Sequence, residues 1–232
     1  MITENKISLG KIIVTFIYIL IFPVVLLLLA GDWLWVEGLI FSVWFLVLCY
    51  TTIIYLYHKD PSLLLERYQQ PGTANQKGWD KYVVIGLVIG FITWIVIMPL
   101  DAKRFGWTTY HSLWLKILGG IGLILSFFFF LRSYTDNTFL SPLVRIQSER
   151  MHQVISTGVY GFVRHPMYLG GSLLFIGTPM LLGSTYGLLL GFLVMLLLVF
   201  RIVGEEKMLI NELEGYNEYK NKVKYRLIPF IW

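Results

Sequence analysis

Gly158-Val159-Tyr160-Gly161-Phe162-Val163-Arg164-His165-Pro166-Met167-Tyr168-Leu169-Gly170 is the stretch on which the reading of this chain turns. It sets Arg, His, two Tyr and Pro between two apolar segments. Pro166 disfavours a helical backbone at His165 and drives it toward an extended conformation. Pro166 itself suits the first turn of a helix, where a missing N–H does no harm. The spacing therefore predicts a polar loop from Gly158 to His165 and an apolar helix starting at Pro166. Such a helix start offers free backbone N–H groups and the positive end of the helix dipole, a site for an anion. Arg164, His165, Tyr160 and Tyr168 crowd the same place. An anchor at headgroup depth uses the same residue types, so the stretch taken alone leaves both readings open.

Outside it, apolar runs dominate. Of the 232 residues 56% are hydrophobic and 14% charged, and the mean hydropathy is +0.68. Soluble domains carry roughly 25% charged residues, so the long apolar runs point to an integral membrane protein. Short alternating segments of the β-barrel kind do not occur. The expected fold is all-α: a polytopic membrane helical bundle of about six transmembrane segments. The last two form a short helical hairpin, and a cytosolic C-terminal helix follows. Residues 1–232 read as a single membrane domain, with four spans within 1–133. Cys49 is the sole cysteine and lies in an apolar run, which argues against a disulfide framework or a zinc cluster. The net charge of +5 reports topology rather than nucleic-acid binding. Membrane lipids are expected as partners; nucleic acid and metal are not.

In chain order, Met1 to Lys11 is short, polar and basic, and Ile12 to Ala30 is long enough to span. This run exceeds a usual signal-peptide core and lacks a small-x-small cleavage site, so it reads as a retained helix. Trp33 to Tyr57, Tyr82 to Leu100 and Ser112 to Leu131 are further spans. Two polar connections, His58 to Lys81 and Thr135 to Thr157, separate them, and Asp60-Pro61 can open a short helix in the first. Pro166 to Leu182 and Leu188 to Val203 are each near the lower limit for spanning. From Gly204 the tail reads as charged and helical to about Val223, then extended through Leu227-Ile228-Pro229-Phe230. With six spans, all of the 19 Lys and Arg except Lys103, Arg104 and Lys116 fall on the side of the termini and the two long connections. The positive-inside rule then places both termini in the cytoplasm.

A second constellation is Arg201-x-x-x-Glu205-Glu206. Arg201 and Glu205 share a helical face, and Arg201 follows an uninterrupted apolar run, where an ionisable group is often functional. A snorkelling Arg paired with Glu205 is the bland alternative. Glu206 points about 140° further round the helix from Arg201, which reads as a solvated face.

The pattern G-x-Y-x-x-x-R-H-P-x-Y-x-G, a helical hairpin, R-x-x-x-E-E, then Tyr216-Asn217-Glu218-Tyr219 and Leu227-Ile228-Pro229-Phe230 resembles the isoprenylcysteine carboxyl methyltransferase family. Phospholipid N-methyltransferases are more distant relatives. Three separated motifs occur in order over the last 90 residues or so; the first 130 match only as a generic set of spans. The resemblance implies that residues 134–232 bind S-adenosylmethionine in a cytosol-facing pocket. It also implies a lipophilic or lipidated acceptor entering from the bilayer. By position it assigns cofactor contacts to His152, Gln153, Val154, Ile155, Tyr160, His165, Pro166, Met167, Tyr168 and Glu205. Gln147 is added with a spacing shorter than the family's. Arg201 resembles the family's arginine for the acceptor carboxyl, and it is the candidate catalytic residue.

These residue types suit a sulfonium methyl donor. Tyr160 and Tyr168 can stack on adenine or face the sulfonium, Glu205 can accept from the ammonium or ribose, and Arg201 can grip a carboxylate in bidentate fashion. A lipid amine N-methyltransferase remains an alternative. Sterol and steroid reductases share an Arg-His-Pro-x-Tyr segment and bind NADPH, but Glu205 would repel its 2′-phosphate. A non-catalytic membrane protein on the same fold is a third reading. Prenylcysteine, lipid amine, thiol and small acid all remain open as acceptors.

Overall fold

The computed structural model describes residues 7–232, so part of the basic start expected over Met1 to Lys11 lies outside the described residues. Among the described residues eight α-helices follow in order: α1 (Leu9–Ala30), α2 (Val36–Lys59), α3 (Pro61–Glu66), α4 (Gly78–Pro99), α5 (Leu113–Asp136), α6 (Pro166–Leu182), α7 (Thr185–Glu212) and α8 (Tyr216–Lys222). Among the described residues there is no strand. By length and composition α1, α2, α4 with the π-helical turn Leu100–Arg104, α5 and α7 can each cross a membrane; α6 is apolar but shorter. The molecule is an integral membrane helical bundle.

Local chemistry sets the helix ends. Ser8 and Ser112 cap α1 and α5 by accepting from Lys11 N and Leu115 N. Gly31, at φ 71°, closes α1 in the left-handed conformation. Asp60 accepts from Leu63 N ahead of Pro61, so α3 opens where Asp-Pro predicts. At the far end the buried Asp101 accepts from Thr108 N at 2.8 Å, Ser184 Oγ at 2.6 Å and Tyr186 N at 3.1 Å. That carboxylate ties the end of α4 to the start of α7.

Glycines set how closely the helices approach. A Cβ on Gly119 of α5 would lie 2.4 Å from Leu181 N and 2.6 Å from Gly177 O of α6. A Cβ on Gly191 of α7 would lie 2.4 Å from Phe175 O. The backbones therefore meet without intervening side chains, as small residues allow in membranes. Ser126 Oγ adds a bond to Gly170 O at 2.7 Å. Leu26, Phe41, Trp94, Met98, Leu182 and Val194 fill the bundle core. A second cluster of Val144, Met208, Leu209, Leu213, Tyr216, Tyr219 and Val223 lies beyond it.

Two expectations about the C-terminal half are corrected. The second arm of the hairpin is not a short span ending near Val203. α7 runs unbroken for 28 residues, roughly 42 Å at 1.5 Å per residue. Its 17-residue partner α6 reaches only roughly 26 Å. The helix passes through Arg201 to Glu206 because each charge meets a partner from another element, described below. The break comes at Leu213 to Gly215, where Gly215 takes φ 81°, and α8 follows. The tail is not extended either: Leu227 N and Ile228 N both donate to Trp232 O, at 2.9 and 3.2 Å. Pro229 and Phe230, at φ 66°, turn the chain back on itself.

Candidate active site

The Gly158 to Gly170 stretch begins with a fixed turn. Gly158 has φ 58°, and a Cβ there would lie 1.9 Å from Asp136 Oδ2. That oxygen accepts from Val159 N at 2.9 Å and holds the loop on the end of α5. His165 is non-helical, at φ −126° and ψ 61°, and α6 starts at Pro166. The C-terminal tail docks alongside: Arg164 N donates to Tyr225 O at 3.0 Å and His165 N to Arg226 O at 2.9 Å.

Glu206 is the hub of this region, not a solvated face as its helical position suggests. It is 2% exposed. It accepts from Arg164 Nε at 2.6 Å and Arg226 Nε at 2.6 Å, and lies 3.3 Å from His165 Nε2. Arg164 Nη1 donates further to Val223 O at 2.7 Å and Lys224 O at 2.8 Å. A buried carboxylate with two guanidiniums is the arrangement that makes burial of such charge tolerable.

A cavity of about 240 Å³ opens beside this hub. Its walls are the 137–145 segment, the 152–155 segment, the start of α6, the α7 face from Arg201 to Leu209, and α8. His152, Gln153, Val154, Ile155, Tyr160, His165, Pro166, Met167, Tyr168, Arg201 and Glu205 all line it. Gln147 does not. It is fully buried behind the wall, where Nε2 donates to Phe139 O at 2.6 Å and Oε1 accepts from Arg150 Nη1 at 2.6 Å.

Side chains on the wall divide by what they already hold. Tyr168 Oη donates to Glu205 Oε2 at 2.7 Å, so its hydroxyl orients the carboxylate. Tyr219 Oη donates to Tyr160 O at 2.8 Å. The buried hydroxyls of Tyr160 and Tyr216 make no hydrogen bond among the described residues, although Asn137 and Ser133 lie close to the first. Burial pushes both phenols above their ordinary pKa, so both stay protonated and able to donate. Arg201 does not pair with Glu205. Its Nε donates to Asp80 Oδ1 at 2.8 Å, and Nη2 to Asp80 Oδ2 at 3.2 Å and Pro142 O at 2.6 Å.

Arg145, also on the lining, makes a two-point contact with Glu66, at 2.9 and 2.7 Å. Hydrogen bonding to Glu66 holds its guanidinium firmly charged. His152 stacks on Phe139 with ring centroids 4.7 Å apart. Burial, reinforced by the positive charges of Arg150 and Arg145, lowers its pKa to about 4, so the ring is neutral.

Sequence reasoning missed several of these positions. Asp80 is fully buried, but in the sequence it falls within the polar connection His58 to Lys81, where an acid is ordinary, and only the structure puts it in the first turn of α4. Met208 and Leu209 fall seven and eight positions beyond Arg201, on the face that also carries Glu205. That periodicity could have found them. Tyr216 and Tyr219, three apart on α8, belong to a quoted motif and prove to line the cavity.

Comparison with known proteins follows the same geography. The phospholipid methyltransferase family model matches residues 114–214. A protein-S-isoprenylcysteine O-methyltransferase of Saccharomyces cerevisiae is 42% identical over 101 residues, which is 42% of this chain and 41% of that protein. One of Schizosaccharomyces pombe is 35% identical over 85 residues, 36% of each. A probable protein-S-isoprenylcysteine O-methyltransferase of Oryza sativa subsp. indica is 28% identical over 60% of this chain and 70% of its own length. The chain thus matches about two fifths of the length of the two yeast relatives. In solved structures, the eukaryotic intramembrane Ras methyltransferase ICMT (isoprenylcysteine carboxyl methyltransferase) shares the fold. The TM-score is 0.56 at 23% identity, covering 84% of this chain and 68% of that one.

Proposed function

On the premise that this chain is related to the isoprenylcysteine carboxyl methyltransferases, we propose that it is an integral membrane methyltransferase. It uses S-adenosylmethionine, and its acceptor is the carboxylate of an isoprenylcysteine-like lipid. The observation that carries this reading is one cavity wall on which α7 sets Arg201 and Glu205 four residues apart, among tyrosines.

When bound, S-adenosylmethionine supplies a methyl group that passes to an acceptor oxygen while sulfur keeps the electron pair of the broken C–S bond. Glu205, already oriented by Tyr168, meets the donor's positive charge or a ribose hydroxyl. Tyr160 and Tyr216 line the cavity, and their rings suit a sulfonium or a purine face. His152, Gln153, Val154 and Ile155 form the wall for the nucleoside. His165, Pro166 and Met167, at the start of α6, present the helix end to a carboxylate. Gln147, one layer back, braces the 139–152 loop. A carboxylate acceptor arrives ionised, so the site needs no general base. Its work is placement and exclusion of water, and Arg201 is the group that anchors the acceptor.

We place both termini, and the mouth of the site, in the cytoplasm, on the side that carries most of the Lys and Arg. The acceptor's apolar chain enters from the bilayer.

The test is direct. Purified protein in lipid nanodiscs, given methyl-labelled S-adenosylmethionine and an S-prenylated cysteine derivative with a free carboxyl, should form a base-labile methyl ester. Label that resists base, or that goes only to a lipid amine, overturns the acceptor assignment. Calorimetric binding of NADPH without binding of S-adenosylmethionine overturns the methyltransferase reading.

A further inference from the structure

We propose that Asp80 is a positioning residue that leaves Arg201 a single terminal nitrogen, Nη1, with which to hold the acceptor. This rests on the reading of the site just given. An arginine has five N–H donors in one plane. Here Nε and one N–H of Nη2 are taken by the two oxygens of Asp80, and Pro142 O takes the other N–H of Nη2. The two N–H groups of Nη1 remain, and they make no hydrogen bond among the described residues. Arg201 lines the cavity but is only 8% exposed, so it has little room to swing.

Asp80 is itself fixed. It is fully buried, and its Oδ2 also accepts from Gln76 Nε2 at 2.7 Å and Val144 N at 2.8 Å. One carboxylate thus joins the start of α4, the 142–144 segment and α7, and sets the rotation of the guanidinium about its own axis.

The chemical consequence concerns the acceptor's oxygens. A two-point grip would engage both carboxylate oxygens and draw electron density from each, which strengthens ground-state binding and weakens the nucleophile. With the Nε/Nη2 edge occupied, Nη1 holds one oxygen, and the other keeps its lone pairs for the methyl carbon. Asp80 also offsets the charge of Arg201, so the acid is held loosely enough to react.

The proposal makes Asp80→Asn unlike a structural lesion. Losing the negative charge and one acceptor oxygen weakens the hold on the guanidinium edge, so that a second N–H can turn the short way needed to reach the acid. An S-prenylated cysteine acid should then bind at least threefold more tightly in calorimetry with the demethylated cofactor present, and turn over at least tenfold more slowly. Affinity for S-adenosylmethionine should stay within twofold of wild type. Acid binding that is weaker or unchanged, or turnover at the wild-type rate, overturns the proposal. Should Asp80→Asn fail to bind the demethylated cofactor, Asp80→Ser keeps an acceptor for Val144 N and is read by the same criteria. Failure of both variants, with Arg201→Lys still binding the cofactor, also overturns it, because Asp80 would then hold the fold and not the guanidinium. If the wild-type protein methylates no such acid, the reading of the site has failed instead.

Discussion

At the scale of single residues, two adjacent acids on α7 have separate tasks. Glu205 lines the cavity and Glu206 is enclosed by Arg164, His165 and Arg226. Glu205→Gln should weaken S-adenosylmethionine binding by about 1.5–3 kcal/mol, the scale of a charge-assisted hydrogen bond, with little change in thermal midpoint in detergent. Glu206→Gln should do the reverse first. It leaves the buried guanidinium of Arg164 and the half-buried one of Arg226 without their anion and should lower stability by about 3–5 kcal/mol, and ligand binding falls only as a result. Calorimetry paired with thermal unfolding separates the two. His152 gives a pH signature. Its pKa is about 4 in the folded chain against an ordinary value of about 6.5. The stability it contributes is therefore complete above about pH 6.5 and drains away as pH falls toward 4, by at most about 3 kcal/mol. His152→Phe keeps a ring against Phe139 and should flatten the fall in thermal midpoint between pH 7 and pH 4.5. An unchanged slope would assign the acid sensitivity elsewhere. Hydrophobic spacing placed Glu205 on the right face but could not show that Glu206 meets two arginines from distant segments.

At the scale of helices, contact is governed by positions without side chains. Gly119 and Gly120 are neighbours on α5, yet only the first faces the α6 backbone: a Cβ on Gly120 would meet nothing within 4 Å. Gly119→Ala must push α5 from α6 and should reduce stability by about 1–3 kcal/mol, whereas Gly120→Ala should leave it unchanged or slightly raised. Equal effects from the two would remove backbone packing as the cause. Helix starts at Pro61 and Pro166 were legible because Asp-Pro and His-Pro carry their own geometry. The end of α7 was not. Sequence alone reads the charged tail as helical to about Val223, but shows neither the break at Leu213 to Gly215 nor that Asp80 and Arg164 answer the charges of Arg201 and Glu206.

For the whole molecule, the proposed orientation gives a prediction of its own. A reporter fused after Trp232 and one inserted at Gly106, in the loop beyond α4, should lie on opposite sides of the membrane, the first cytoplasmic; agreement between them would overturn the orientation. Apolar runs and charge made the bundle legible, and three ordered motifs indicated which residues meet in the cavity. Neither revealed that the site is tied together by ion pairs spanning long stretches of chain. Glu66 with Arg145, Asp80 with Arg201, and Arg164 with Glu206 join residues 79, 121 and 42 positions apart. Such contacts close only after the intervening helices are in place. On this contact pattern assembly should run from bilayer to pocket, with the hydrophobic helices settling first as independent rods and the ligand chamber finished last. A newly made chain should resist protease within the membrane before it retains its donor, with a measurable lag between the two.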